Sequence, residues 1–247
     1  MPLLNHQMLG IDFVSGPLEE VRHEIFDFIR RKKCAVIVTP NVDHIIRIHE
    51  SRDLSIREAY LGADIRLCDS RVLALIGRWI FNEDILACPG SDLVTSLVSN
   101  PGPLAGNILV FGPSFSDFAK LTNKFPYIKF VYVEAPHNLR MGSSDWELAL
   151  TAVESTEWDL AFVCISFPKQ ELFATELKRR ARATGVVLCV GASVDFLTAR
   201  QARAPSWIQH LSLEWCYRLM SNPRRLGKRY IFSIPKIIRL IYVHRRA

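Results

Sequence analysis

No stretch of this 247-residue chain stays apolar for the roughly 18–20 residues that a membrane-spanning helix needs. Met1 to Val14 carries polar and acidic residues where a signal peptide would carry an apolar core, which points to a cytoplasmic protein. The six cysteines, Cys34, Cys68, Cys88, Cys164, Cys189 and Cys216, form no CxxC pair, and the histidines lack partners at ligand spacing, so a zinc site is not expected. Several of the cysteines sit inside strand-like apolar runs, as buried free thiols of a reducing compartment do. Internal repeats, low-complexity segments and a full GxGxxG spacing are also missing, which removes solenoids, disordered tails and the standard dinucleotide fingerprint.

What is present is an ordinary globular composition, 49% hydrophobic and 23% charged, enough for one sizeable core or two small ones. The net charge of +6 is unevenly placed. Residues 223–247 hold Arg224, Arg225, Lys228, Arg229, Lys236, Arg239, Arg245 and Arg246 and no acid, which leaves 23 basic against 25 acidic residues in the body. A near-neutral body with a cationic tail seeks phosphate, whether of lipid, nucleic acid or a diphosphate ligand.

Hydrophobic periodicity predicts an α/β protein. Val36-Ile37-Val38 reads as a buried strand ending at Thr39-Pro40-Asn41, followed by a helix with Val42, Ile45, Ile46 and His49 on one face. Ala59 to Leu67 is a short helix-then-strand passage stopping at Cys68-Asp69-Ser70, and Arg71 to Ile80 is helical. Pro101-Gly102-Pro103 marks a linker. Beyond it strands at 107–111, 128–133, 160–165 and 186–190 alternate with helices at 116–124, 146–155 and 170–184, the order of a parallel sheet covered on both faces. The first hundred residues are less regular, so the expected architecture is two Rossmann-like α/β lobes with parallel sheets sharing a cleft. The expected divisions are 1–100, 101–205 and a basic helical appendage over 206–247. Pro235 argues against one unbroken helix there.

The polar candidates stand where strands give way to helices. Thr39 and Asn41 are placed to hold a ligand at a strand end, or Asn41 caps the next helix. Asp69 is a general-base candidate or an N-cap. Gly112-Pro113-Ser114 could seat a phosphate at a helix start or be a tight turn. Pro168-Lys169-Gln170-Glu171 opens a helix, with Gln170 able to read a sugar or base, and Asp195 closes another strand, where an acid commonly accepts ribose hydroxyls. Tyr230, Ile231, Phe232, Ile234, Ile237, Ile238, Leu240, Ile241, Tyr242 and Val243 interleave with the tail's cations, a composition suited to an anionic membrane interface.

These stations, in order, resemble the WecG/TagA/CpsF glycosyltransferase family (glycosyltransferase family 26). They are Thr39-Pro40-Asn41, Ala63-Asp64-Ile65 to Asp69, Gly90-Ser91-Asp92, Phe111-Gly112, Pro168-Lys169-Gln170-Glu171, Gly191 to Phe196, Arg203-Ala204-Pro205, Leu213-Glu214-Trp215-Cys216-Tyr217-Arg218 and Pro223-Arg224-Arg225. The resemblance implies an inverting enzyme needing neither metal nor cofactor, moving a hexose of N-acetylmannosamine or glucose type from a UDP-sugar to a polyprenyl-diphosphate-linked sugar. It implies Asp69 as base, Thr39 and Asn41 beside the reacting sugar, and Gly112, Gln170 and Asp195 on the donor side. Arg203, Arg218, Arg224 and Arg225 would stand near the diphosphate. It also implies a peripheral position on the inner face of the cytoplasmic membrane through residues 223–247, and leaves a homo-oligomer open. The chain lacks the Asp-x-Asp motif that usually holds a divalent ion on a nucleotide-sugar, which agrees with metal-free chemistry.

Two departures stand out. Cys68-Asp69-Ser70 replaces the family's usual Pro-Asp-Gly, and Ala87-Cys88-Pro89 stands where an arginine often precedes the Gly-x-Asp, with Arg71 a candidate substitute. A scaffold of a glycan-assembly complex, weakened in catalysis, is one alternative. A nucleic-acid-binding protein is another, although that class asks for basic residues on the body, which is slightly acidic, so no nucleic acid is expected as partner.

Overall fold

The computed structural model describes residues 2–102, 106–200, 204–205, 208, 211–221 and 223–246. Its centre is a six-stranded parallel sheet built from β3 (Cys34–Val38), β4 (Ile65–Arg66), β5 (Ile108–Phe111), β6 (Phe130–Val133), β7 (Leu160–Val163) and β8 (Gly185–Cys189), in the spatial order β4-β3-β8-β7-β5-β6. An antiparallel hairpin of β1 (Leu4–Met8) and β2 (Ile11–Ser15) forms a separate two-stranded sheet. The α/β class and parallel sheet are as the periodicity predicts. The strands assigned to two lobes, however, lie in one sheet, because β8 pairs with β3 on one side and β7 on the other.

Strand alternation explains the three layers. Val36, Val38, Leu109, Phe111, Ala161, Val163, Val187 and Cys189 point into one core. Ala35, Ile37, Ile108, Val110, Leu160, Phe162, Val186 and Leu188 point into the other. A strand buried on both faces has to be apolar at every position, and β5, β7 and β8 are. The first core is covered by α2 (Val42–Glu50), α7 (Ser144–Glu154) and α8 (Lys169–Arg180), the second by α1 (Leu18–Arg30), α5 (Gly90–Ser99), α6 (Phe115–Lys124) and the short α9 (Ser193–Leu197). α3 (Leu54–Leu61) and α4 (Arg71–Ile76) flank β4, and α4 runs on into a π-helical turn, Gly77–Phe81.

The C-terminal part holds α10 (Glu214–Ser221) and α11 (Pro223–Arg246). Contrary to expectation, α11 continues through Pro235. Proline removes the donor for the carbonyl of Ile231 four residues earlier, but Ile231 is exposed, so solvent can reach that carbonyl. α11 packs on α2: Ile237 is buried, Leu240 and Ile241 join the same core, and Lys236 pairs with Glu50 at 2.6 Å.

Candidate active site

Register brings the strand ends into one row. Arg66 pairs with Val38, Val38 with Cys189, Cys189 with Val163, Val163 with Phe111 and Phe111 with Val133. Thr39, Asp69, Gly112, Gln170 and Gly191 therefore all lie just past one sheet edge, although they are scattered over the chain. In open α/β sheets ligands bind at this carboxyl edge.

Asp69 is held by two backbone ties. Its N–H donates to the carbonyl of Pro40 at 3.1 Å, and its Oδ1 accepts the N–H of Gly90, the first residue of α5, at 2.7 Å. Ser70, not Asp69, caps α4, accepting from Leu73 N–H at 3.2 Å, and Asp69 satisfies the first N–H of α5 instead. Thr39 is buried and its Oγ1 donates to the carbonyl of Cys189 at 3.0 Å, stitching β3 to β8. A Cβ on Gly90 would lie 3.3 Å from Thr39 Oγ1 and 3.2 Å from Ser193 Oγ, so Thr39, Gly90, Ser193 and Asp69 meet in one spot. Ser193 lies within the Gly191 to Phe196 station, although the sequence assigns it no role of its own. Burial pushes the neighbouring thiols of Cys68 and Cys88 up to about 12, so they stay protonated.

Asn41 does cap α2. Its Oδ1 accepts from Asp43 N–H at 3.0 Å and His44 N–H at 3.2 Å, and its Nδ2 lies 3.5 Å from His44 Nε2. Gln170 is 2% exposed. Its Oε1 accepts from Gly191 N–H at 2.9 Å and its Nε2 donates to Glu171 Oε1 at 2.9 Å, so the amide fixes the turn after β8. Asp195 sits inside α9 rather than at a strand end, because β8 stops at Cys189. Arg200 lies 3.8 Å from Asp195 and 3.1 Å from Asp117.

Gly112 has φ +126°, and a Cβ there would lie 2.5 Å from the carbonyl oxygen of Cys164. Its position thus has a packing cause of its own. Ser114 caps α6 and also donates to Asp117 Oδ2 at 2.7 Å, so a carboxylate already stands at that helix start. Arg71 joins two of the stations: it pairs with Asp92 of α5 at 3.2 Å and Glu214 of α10 at 3.3 Å, clasping the appendage to the edge that holds Asp69. Arg203 lies outside the described residues; Arg218 belongs to α10, and Arg224 and Arg225 to the first turn of α11. Among the described residues no three His, Cys, Asp or Glu side chains gather as metal ligands.

A doubly wound sheet with an anchored carboxylate and buried hydroxyls on its carboxyl edge defines an α/β enzyme of the nucleotide- or sugar-handling kind. A family model described as "Glycosyl transferase WecG/TagA/CpsF family" matches residues 6–247. The chain belongs to that family and is a glycosyltransferase. It is similar to the N-acetylglucosaminyldiphosphoundecaprenol N-acetyl-beta-D-mannosaminyltransferase of Bacillus spizizenii strain W23, 28% identical over 242 residues that cover 96% of this chain and 90% of the relative. The protein of the same description from Bacillus subtilis strain 168 is 26% identical over 218 residues, covering 85% of this chain and 79% of the relative.

Proposed function

We propose that the protein moves a hexose of N-acetylmannosamine or glucose type from a UDP-sugar to a sugar carried on a polyprenyl diphosphate, with inversion and without a metal. The observation that carries this reading is the anchoring of Asp69 by Gly90 N–H beside Thr39 at the carboxyl edge. It is joined by the family membership and by relatives named for transfer to N-acetylglucosaminyldiphosphoundecaprenol. A sugar hydroxyl holds its proton far above neutral pH, so attack is helped by a carboxylate that takes the proton as the bond forms. The acceptor oxygen bonds to the anomeric carbon, the bond from that carbon to the diphosphate breaks, its electron pair leaves on UDP, and the proton ends on Asp69.

Thr39 and Asn41 stand beside the reacting sugar in this reading. Gln170 takes part on the donor side through the Gly191 turn it holds, and Asp195 and Gly112 border the same side. The charge that develops on the leaving diphosphate needs cations, a part assigned to Arg203, Arg218, Arg224 and Arg225. The enzyme works at the inner face of the cytoplasmic membrane, held there by the basic, apolar-faced α11, while residues 1–100, 101–205 and 206–247 serve as acceptor side, donor side and appendage.

Incubation with a panel of UDP-sugars and polyprenyl-diphosphate-linked N-acetylglucosamine tests the reading. Asp69→Asn should fold with wild-type stability and lose ~10²–10⁴-fold in transfer, and a chelator should leave the wild-type rate unchanged. Wild-type turnover by Asp69→Asn would remove the base assignment.

A further inference from the structure

A chain of polar side chains runs under the site from Asn41 to Glu171. Asn41 Oδ1 accepts two backbone N–H groups of α2, so its Nδ2 is the group that faces His44 Nε2, at 3.5 Å. Tyr60 has a single proton and gives it to Glu171, so at 3.0 Å it accepts from His44, which carries its proton on Nδ1. Tyr60 donates to Glu171 Oε1 at 2.9 Å. From the other direction Gly191 N–H donates to Gln170 Oε1, so Gln170 Nε2 donates to that same Glu171 Oε1. Two arms, one from the end of β3 and one from the turn after β8, end on a single buried oxygen.

We infer that Glu171 is a positioning residue that sets Asn41 and the Gly191 turn at a fixed spacing across the site. The inference rests on the reading that Asn41 and the Gly191 turn border the reacting sugar and donor. Glu171 is 1% exposed, and its Oε2 is buried with no hydrogen-bond partner among the described residues. That arrangement is costly for an ionised carboxylate and milder for a neutral acid. Burial pushes its carboxyl up, opposed by the hydrogen bonds of Gln170 and Tyr60. Burial and Glu171 hold the Tyr60 phenol well above its ordinary value, so Tyr60 keeps the proton it donates. His44 is further steadied by stacking on Phe167, ring centres 4.5 Å apart, and Arg47 lies over the same ring at 4.5 Å. The hub thus needs only an acceptor oxygen at the Oε1 position, not a charge.

This need separates three variants. Glu171→Gln still presents an acceptor oxygen and keeps wild-type kinetic constants and pH profile. Glu171→Met releases both arms: kcat falls and the KM for the UDP-sugar rises, each by ~10-fold or more, since an ångström of misplacement near reacting atoms costs up to ~10²-fold. Tyr60→Phe cuts only the Asn41 arm, so kcat falls while the donor KM holds, and this variant decides the matter if Glu171→Met does not fold. Nitrogen-15 NMR of the histidines gives a readout independent of turnover: His44 is the Nδ1-protonated tautomer in the wild type and loses that bias in Tyr60→Phe. A wild-type His44 protonated on Nε2, or wild-type kcat and donor KM in a folded Tyr60→Phe, overturns the inference. If the wild type transfers no hexose, the transferase reading fails and the tautomer decides whether the chain of bonds exists.

Discussion

Single residues at the strand ends carry structural ties of their own. Asn41 caps a helix, Asp64 ties Lys178 of α8 to Val36 N–H of β3, and Gly112 makes room for the Cys164 carbonyl. Asp69 does not cap the helix that follows it, where Ser70 is the cap, and its carboxylate accepts the first N–H of α5. Gly112→Ala would combine a positive φ with a Cβ in contact with backbone, so it should destabilise by ~1–3 kcal/mol. In a chain of this length each kcal/mol lowers the melting temperature by about 2–4 °C. An unchanged melting temperature in that variant would show that the β5–β7 edge can yield. The glycine itself was visible in the sequence; its reason was not, because Cys164 is brought opposite only by the pairing of Phe111 with Val163.

Between elements, the junction of α2 with α11 carries a pH dependence. His49 Nε2 donates to the Leu9 carbonyl at 2.8 Å, and the His244 ring meets it edge-on with centroids 5.0 Å apart. Burial chiefly lowers the His49 pKa, the Leu9 hydrogen bond opposes this, and His244 and Arg57 add to the lowering. A folded value below the unfolded one, about 6.5, means that the neutral ring's contribution is complete above that pH and is lost as pH falls through the folded value. The melting temperature should therefore drop on acidification from pH 7 towards pH 5, and His49→Gln should flatten the drop; parallel curves for the two proteins would count against it. Helical spacing puts His49 on one face with Val42, Ile45 and Ile46, whereas the hairpin turn at Leu9 and Gly10 and the partner His244 come from opposite ends of the chain.

For the whole molecule, the decisive feature is the segregation of charge between body and tail together with the way α11 is mounted. One side of α11 packs inward through Ile237, Leu240 and Ile241, while Ile231, Ile234, Ile238 and Tyr242, at helical spacing, are exposed. No helix among the described residues is long and apolar enough to cross a membrane. Such a face suits shallow insertion, with basic residues adding ~1 kcal/mol each near an anionic surface. Truncation after Ser221 would uncover the seat of Ile237 as well, so the sharper variant replaces Ile231, Ile234 and Ile238 by serine. That protein should melt like the wild type and lose binding to anionic liposomes, and wild-type binding should weaken as salt screens charges beyond ~8 Å. Undiminished liposome binding by the triple variant would detach α11 from the membrane.

By itself the sequence determined the α/β class, the strand and helix alternation after residue 106 and the cationic tail, because burial on both faces of a strand or one face of a helix leaves a local periodic mark. It did not reveal the β1–β2 hairpin, α1 or α5, whose apolar positions drew no attention beside the regular second half. Only the tertiary structure decided that one sheet, not two, carries the site. That outcome rests on β3 pairing with β8, sealed by Thr39 and Cys189 from 150 residues apart. The meeting of Tyr60 with Glu171, 111 residues apart, and of Arg71 with Glu214, 143 apart, was equally undetermined. Parallel pairing leaves no local signature, since a strand's residues are buried alike whichever neighbour it takes, and so the partners at the carboxyl edge are fixed only when the crossovers close.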